Sequence, residues 1–339
     1  MDKKVKLYVV VPCYNEEEVL PETSKRLLAK FKELWNMGKI HTDSKIVFVN
    51  DGSKDKTWDI ITDLCKNSEP FGSSDSSAYA GINLAHNAGH QNAVLAGLMT
   101  VKDMCDVAIT MDADLQDDIE AVNQMLYKHM EEGCDVVYGV RNKRDKDTFF
   151  KRFTAEGFYK LMQSMGVDIV FNHADYRLMS SRVLKELANY KEVNLFLRGI
   201  IPTIGFKHDN VYYERAERFA GESKYPLKKM LAFAINGITS FSVKPLRLIT
   251  TIGITMTFIS VIMFIWSVVD RLIGDTVTGW SSLMCSIWFI GGLQLLSLGV
   301  IGEYIGKIYQ EVKARPRFIV GETIGIKENT DGKQENTQD

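Results

Sequence analysis

The chain has 339 residues, 45% of them hydrophobic and 25% charged, enough for one large domain plus an addition. A net charge of −2 argues against a nucleic-acid-binding surface, so any basic patch has to be local. Five cysteines (Cys13, Cys65, Cys105, Cys134, Cys285) without CxxC or zinc spacing point to free thiols in a reducing compartment and away from a disulfide framework.

Met1-Asp2-Lys3-Lys4-Val5 leads directly into a strand, with no long apolar stretch before a small-residue cleavage site, so no signal peptide is expected. Lys6 to Val11 reads as a continuous apolar strand that Pro12 should end, because proline cannot donate to a central ladder. On the following turn, Tyr14 can stack on a base and Glu16 can accept from its ring N–H or a ribose. Helix capping by Asn15 is the structural alternative, with Glu16, Glu17 and Glu18 at the positive end of the dipole. Ile46 to Val49 is a second buried strand, and Asp51-Gly52-Ser53 after it makes a tight turn carrying a carboxylate. Asp55 and Thr57 are expected to cap the helix that starts near Trp58. Asn67 to Ala80, rich in serine, reads as a surface loop. A third unit begins at Ile82-Asn83-Leu84 and continues through His86 to Ala93 into a helix, with Gly89 allowing close backbone approach. His86 and His90 lack a third nitrogen or thiolate ligand nearby, so zinc is not expected.

Val107 to Met111 is the next buried strand, and Asp112-Ala113-Asp114-Leu115-Gln116 follows it. Carboxylates two apart on extended backbone point the same way, with Gln116 as a third oxygen donor, and the strand's C-terminal end is where open α/β sheets bind ligands. Such a donor set suits a hard divalent cation such as Mg²⁺ shared with a diphosphate, while capping of the next helix is the alternative. Asp135 to Val140 is another strand, after which Arg141, Lys143, Arg144, Lys146, Lys151 and Arg152 crowd a short stretch. Arg141 and Arg152 are the phosphate candidates, since a planar guanidinium matches phosphate geometry; a solvated basic face is the plainer reading. Leu231, Ala234, Ile235, Ile238 and Phe241 recur at helical spacing after Lys228 and Lys229, as in a helix lying at a membrane interface. Leu248 to Val269 and Thr276 to Gly302 contain no charge, and each is long enough to cross a bilayer. Basic residues flank the pair on its outer sides (Lys244, Arg247; Lys307, Lys313, Arg315, Arg317), which places both chain ends in the cytoplasm. Small residues at Gly291, Gly292, Ser297 and Gly299 would let helices of a homo-oligomer approach.

Pro12-Cys13-Tyr14-Asn15-Glu16, Asn50-Asp51-Gly52-Ser53-Lys54-Asp55 and the Asp112–Gln116 run each follow a strand at the spacing of successive βα units. With Asp175-Tyr176-Arg177-Leu178-Met179, Leu195-Phe196-Leu197-Arg198-Gly199, Arg218 to Tyr225 and Arg315-Pro316-Arg317-Phe318, this order resembles inverting family-2 glycosyltransferases that act on polyprenyl phosphates. That group includes bactoprenol glucosyltransferases and dolichol-phosphate mannose synthase, and the likeness runs from about Val9 to Val320. It departs at His86, where the family usually has Arg, at Asp117-Asp118, where it has Asp-Pro, and at Tyr176, where it has Phe.

The resemblance implies an α/β GT-A (Rossmann-like) fold with a mixed, mostly parallel sheet, then interfacial helices and a two-helix membrane anchor. The expected boundaries are 1–220 for the cytoplasmic catalytic domain, 221–246 for a juxtamembrane helix, and 247–270 and 280–303 for the spans. Residues 271–279 would form the extracytoplasmic loop and 304–339 a cytoplasmic tail. It implies transfer of a hexose, glucose from UDP-glucose foremost, to undecaprenyl phosphate at the bacterial inner membrane. Pro12, Tyr14, Glu16, Asp51, Ser53 and Asp112 would bind the nucleotide of the UDP-sugar, and Asp112, Asp114 and Gln116 a Mg²⁺ or Mn²⁺ ion. Arg141, Arg152, Arg218 and Lys224 would serve the acceptor phosphate and diphosphate, with Asp114, Asp175, Arg141 and Arg152 as the catalytic set. Ion pairing of Asp175 with Arg177, or helix capping before Ser181, is its alternative role. A phosphomonoester is largely a dianion at neutral pH, so Asp175 is expected to orient a partner and not to remove a proton. The small residues of the second span are the ground for expecting a homo-oligomer, a tetramer among the options. A processive polysaccharide synthase and a non-catalytic membrane-tethered nucleotide-sugar binder are the competing readings; the first usually carries a QxxRW motif, absent here.

Overall fold

The computed structural model describes residues 4–68, 77–141, 173–193, 196–214, 242–273 and 279–326. The chain divides into two units, one holding Met1–Arg152, Val170–Lys224 and Pro316–Asp339, the other Phe153–Ile169 and Tyr225–Arg315.

The first unit is built on eight strands: β1 (Leu7–Cys13), β2 (Lys45–Asn50), β3 (Tyr79–Leu84), β4 (Val107–Thr110), β5 (Val136–Arg141), β6 (His173–Ser180), β7 (His208–Tyr213) and β8 (Val320–Ile324). Their order in the sheet is β7-β5-β6-β4-β1-β2-β3-β8. β1 pairs in parallel with β2 and β4, β2 with β3, and β5 with β7, while β6 and β8 run antiparallel to their neighbours. The expected mixed, mostly parallel α/β sheet of a GT-A domain is what forms.

β1 is buried along its whole length because alternate residues are covered from opposite sides. Leu7, Val9 and Val11 join a core that includes Leu27, Phe31 and Leu34 of α1 (Leu20–Asn36) and Met125 and Leu126 of α4 (Ala121–Met130). The other side is met by α3 (His90–Val101), which comes so close at Gly97 that an added Cβ would lie 2.3 Å from Val10 Cγ1 and 2.9 Å from Val49 Cγ2. α2 (Thr57–Asn67) packs beside β3, and α5 (Ser181–Leu187) and α6 (Leu197–Thr203) follow β6. Cys13, Cys65, Cys105 and Cys134 are buried free thiols, as expected.

Two expectations are corrected. Pro12 does not end β1; the strand runs on to Cys13, with Pro12 paired to Val49. Val10 is the last β1 residue in register with β4, and it accepts from Met111 N–H. Two residues further on, Pro12 faces the same side, where the ladder has already stopped, so its missing N–H leaves no gap. Nor is 304–339 only a tail: residues 320–324 form β8, an added strand that covers the edge of β3. Ile319 O accepts from Ala85 N–H, and an Arg317 Nη donates to Tyr190 O at 3.0 Å. An edge strand has unpaired N–H and C=O groups, and β8 satisfies those of β3.

In the second unit, α7 (Lys244–Ile273) and α8 (Trp280–Lys313) extend beyond the expected 247–270 and 280–303. Both contain stretches long and apolar enough to cross a membrane, Lys244–Met263 and Phe289–Lys313. Large apolar side chains, among them Phe258, Trp266 and Leu295, lie at the surface of these helices. The expected helix at 227–241 and the basic residues 143–152 lie outside the described residues, as do Arg218 and Lys224.

Candidate active site

The parallel strands β1 to β4 deliver their following loops to one rim of the sheet, and hydrogen bonds tie successive loops together. Asn15, at φ 55°, donates its N–H to Ser53 Oγ at 3.0 Å, and its side-chain oxygen accepts from Lys54 N–H at 2.9 Å. Glu16 N–H donates to Thr57 Oγ1. Asp55, one residue before the cap position Lys56, accepts from Thr57 N–H at the start of α2, as expected of a capping group, and also from Glu17 N–H, which braces the two loops. These crossings shape an open cleft lined by Asn15, Glu16, Glu17, Glu18, Val19, Lys54 and Asp55. The Tyr14 ring is exposed, whereas Pro12 is buried.

Asp51 is buried, and its two oxygens accept from Ala88 N–H at 2.6 Å and Gly89 N–H at 3.0 Å. Burial raises its carboxyl pKa above the ordinary value even though these two N–H groups work in the other direction. The residue expected at a nucleoside therefore also holds the loop after β3 against the loop after β2. Gly52, at φ +64°, is required there: a Cβ would lie 2.6 Å from Asn87 N.

The Asp112–Gln116 run is a turn, not extended backbone. Leu115 has φ 59°, unusual for leucine, and Asp114 Oδ1 accepts from Gln116 N–H at 3.2 Å. Ala113 and Leu115 point inward while Asp112 and Asp114 are half-exposed, so both carboxylates reach the rim by turn geometry instead of strand alternation. A third of the Asp112 side chain reaches solvent, yet protein atoms crowd its carboxylate. Burial pushes its pKa up to about 6; His90 opposes the rise, and Asp117, Asp175 and Asp114 add to it.

β6 returns antiparallel to β4, with Arg177 opposite Thr110, which brings Asp175 to the same rim. Asp175 accepts from Arg177 Nη2 at 2.5 Å, and from Arg198 through Nε at 3.1 Å and Nη2 at 3.0 Å. His90 Nε2 stands 3.6 Å from both Asp175 Oδ2 and Asp112 Oδ1. Burial would raise the Asp175 carboxyl, but hydrogen bonding from His90 and the charges of Arg198 and Arg177 hold it well below the usual carboxylate range. Burial also works against the charged His90 ring, and Asp175 and Asp112 more than offset it, raising the His90 pKa. The expected Asp175–Arg177 pair is present, with Arg177 fully buried beneath it.

Arg141, the candidate for phosphate, donates from Nη2 to Asp117 Oδ1 at 3.3 Å and from Nε to Tyr213 Oη at 3.2 Å. Tyr213 Oη in turn donates to Asp117 Oδ1 at 2.5 Å, and Tyr176 Oη donates to Asp118 O at 2.9 Å. These bonds brace the end of the Asp112–Asp118 segment. Asp117 Oδ2 is buried without a hydrogen-bond partner, one more acidic oxygen beside Asp112.

Asp112, Asp114, Asp175 and the loops expected at the nucleoside thus share one rim, whereas Gln116, the third expected metal ligand, is buried. Sequence reasoning missed His90 and Arg198 as members of it, as well as Gln91, whose Oε1 accepts from Leu197 N–H at 3.0 Å and fastens the start of α6 to the start of α3. The run Leu195–Gly199 was the available signal for Arg198. Among the described residues, one set of His, Cys, Asp or Glu side chains comes within mutual ligating distance: Glu132, Cys134 and Asp209. It precedes β5 and opens β7, at their far end from Arg141, and Lys128 is bonded to Asp209.

Residues 8–188 match the family described as Glycosyl transferase family 2, and residues 244–308 match the GtrB C-terminal hairpin. The chain is 52% identical over 314 residues to the uncharacterized glycosyltransferase YkoT of Bacillus subtilis (strain 168), covering 93% of this chain and 90% of that protein. It is 41% identical over 318 residues to the SfII prophage-derived bactoprenol glucosyl transferase of Shigella flexneri, covering 93% and 97%. A solved structure of glucosyl-3-phosphoglycerate synthase from Mycobacterium tuberculosis, in complex with Mn²⁺, UDP-glucose and phosphoglyceric acid, aligns with TM-score 0.43 and 16% identity over 69% of this chain and 78% of that one.

Proposed function

The chain belongs to glycosyltransferase family 2, and from that premise we propose that it transfers a hexose from a nucleotide diphosphate sugar to a polyprenyl phosphate at a membrane surface. Glucose, UDP and undecaprenyl phosphate are the specific partners in this reading. The observation that carries it is the joining, in one chain, of an acidic sheet-edge site to two long helices with apolar side chains at their surface. A soluble protein rarely exposes so much apolar area, whereas a lipid acceptor requires a catalyst held at the bilayer. Residues 1–220 would then be cytoplasmic with both chain ends, residues 247–270 and 280–303 would span, and 271–279 would face the other side.

The donor set fits a divalent cation. Two half-exposed carboxylates and the amide oxygen of the buried Gln116 are hard ligands, and burial together with the neighbouring acids makes the ionised Asp112 a group that a bound cation would favour. Asp112, Asp114 and Gln116 would hold Mg²⁺ or Mn²⁺, which when bound neutralises the charge growing on the departing nucleoside diphosphate. Tyr14 would stack on the base, with Pro12, Glu16, Asp51 and Ser53 shaping its pocket. Arg141 and Arg152 would align the acceptor phosphate, and Arg218 and Lys224 would close over the diphosphate.

In the transfer itself, an acceptor phosphate oxygen forms a bond to the sugar's anomeric carbon as the bond to the nucleoside diphosphate breaks. The acceptor is already largely a dianion, so no side chain needs to take its proton. Asp175, held ionised between two arginines, is suited to orienting them and not to acting as a base. The purified full chain, given a panel of nucleotide sugars, should release nucleoside diphosphate only when polyprenyl phosphate is also present. Release that ignores the lipid, or none with any sugar, would overturn the assignment.

A further inference from the structure

Asp175 already has a buried cationic partner in Arg177, whose guanidinium donates to Oδ1 from below. Charge balance therefore does not require the second arginine. Arg198 nevertheless grips both carboxylate oxygens with a planar fork, and its side chain is 31% exposed where that of Arg177 is 2% exposed. A fully desolvated guanidinium serves packing; one held rigidly at a rim keeps its charge available to an anion. The mounting is stiff, because Leu197 N–H is bonded to Gln91 Oε1 and His90, on the same turn of α3, reaches Asp175. Through Asp175 and then His90, Arg198 is three contacts from Asp112.

We propose that Arg198 binds a phosphate group of the substrates, with Asp175 fixing its orientation. This inference rests on the transferase reading above and adds a binding residue at the same rim. A carboxylate that holds the guanidinium by two N–H groups removes the rotamer freedom a surface arginine would otherwise lose on binding, so less of the interaction is spent on ordering. The phosphate belongs either to the lipid acceptor or to the donor diphosphate, and binding measurements separate the two.

The full chain in detergent is titrated calorimetrically with UDP plus Mn²⁺ and, separately, with farnesyl phosphate, for wild type, Arg198→Gln and Arg198→Lys. Loss of a charge-assisted contact should weaken one of these affinities by about tenfold or more in Arg198→Gln, with Arg198→Lys recovering only part of it, because an ammonium cannot reproduce the two-N–H grip on Asp175. Weakened farnesyl phosphate binding identifies the acceptor; weakened UDP binding identifies the donor. Both affinities remaining within about twofold of wild type would overturn the proposal and leave Arg198 as a mere brace for Asp175. If Arg198→Gln folds poorly, Asp175→Asn/Arg198→Gln is compared with Asp175→Asn alone, and an unchanged pair of affinities is again the overturning result. These titrations do not depend on turnover. A wild type that binds both ligands but transfers no sugar would refute the transferase reading while leaving Arg198's role to be decided by the affinities.

Discussion

Asp112, on the turn after β4, and Asp175, on β6, lie on one rim with His90 3.6 Å from each, yet their surroundings push them in opposite directions. Burial raises the Asp112 pKa to about 6; His90 opposes the rise, and Asp117, Asp175 and Asp114 add to it. Asp175 is bracketed by Arg177 and Arg198 and stays ionised. The one has a histidine and several acids for neighbours, and the other is gripped by two arginines. The difference separates a place for a cation from a place that aims cationic side chains, within a single cluster of acids.

The largest effect that would break this comparison is at the Asp112 side of the rim. Asp114→Ala should lower transfer by about 10³-fold or more, as expected when stabilisation of a developing charge is lost. Losing the Asp114 Oδ1 bond to Gln116 N–H should cost only about 1 kcal/mol in stability, so the variant stays folded, and excess chelator should reproduce the activity loss in wild type. Full activity in either case would remove the cation from the argument.

On the other side, Asp175→Asn leaves Arg177 buried and uncompensated. Breaking a buried pair costs about 3–5 kcal/mol, and the exposure of Arg198 reduces this to about 3 kcal/mol, read from urea denaturation. The pH dependence sharpens the contrast. A carboxyl whose folded pKa is depressed contributes stability that is fully present above its unfolded value of about 3.9 and is lost as pH falls through the folded value. The stability gap between wild type and Asp175→Asn should therefore widen as pH falls from about 8 towards about 5, because Asp175 also raises the His90 pKa and that ring adds stability once charged, and should shrink only below about pH 4. A gap that closes near neutrality would mean that Asp175 is not held ionised. The transfer rate of Asp175→Asn should likewise show no recovery at high pH; recovery would make Asp175 a base.

The smallest effect concerns the brace behind the turn. Tyr213→Phe removes one neutral donor from Asp117 and should cost about 1 kcal/mol in stability, with a modest loss of cation affinity. If cation affinity were unchanged while stability fell, the Asp117–Tyr213–Arg141 cluster would be packing alone.

Much of the rim was legible before any coordinates. Apolar runs marked the strands, and the polar residues just after them had to lie at strand ends, because chain direction and strand polarity fix where a βα loop falls. The capping by Asp55 followed from helix-start chemistry, and the chargeless runs after Lys244 announced long apolar helices. Less legible was the conformation of Asp112–Gln116, since a leucine at positive φ runs against local preference and is sustained only by the surrounding structure.

By itself, then, the sequence determined the strands β1 to β5 but not β6, β7 or β8, which rim carries the acidic run, and that the chain contains two apolar helices. Only the tertiary structure decided the partnerships: Arg198 with Asp175, Tyr213 with Asp117, and β8 on β3. The physical reason is that periodicity reports what a segment buries, not against whom. The antiparallel placement of β6 between β4 and β5 sets the register that brings Asp175 beside His90 and Arg198, and no local pattern encodes that register.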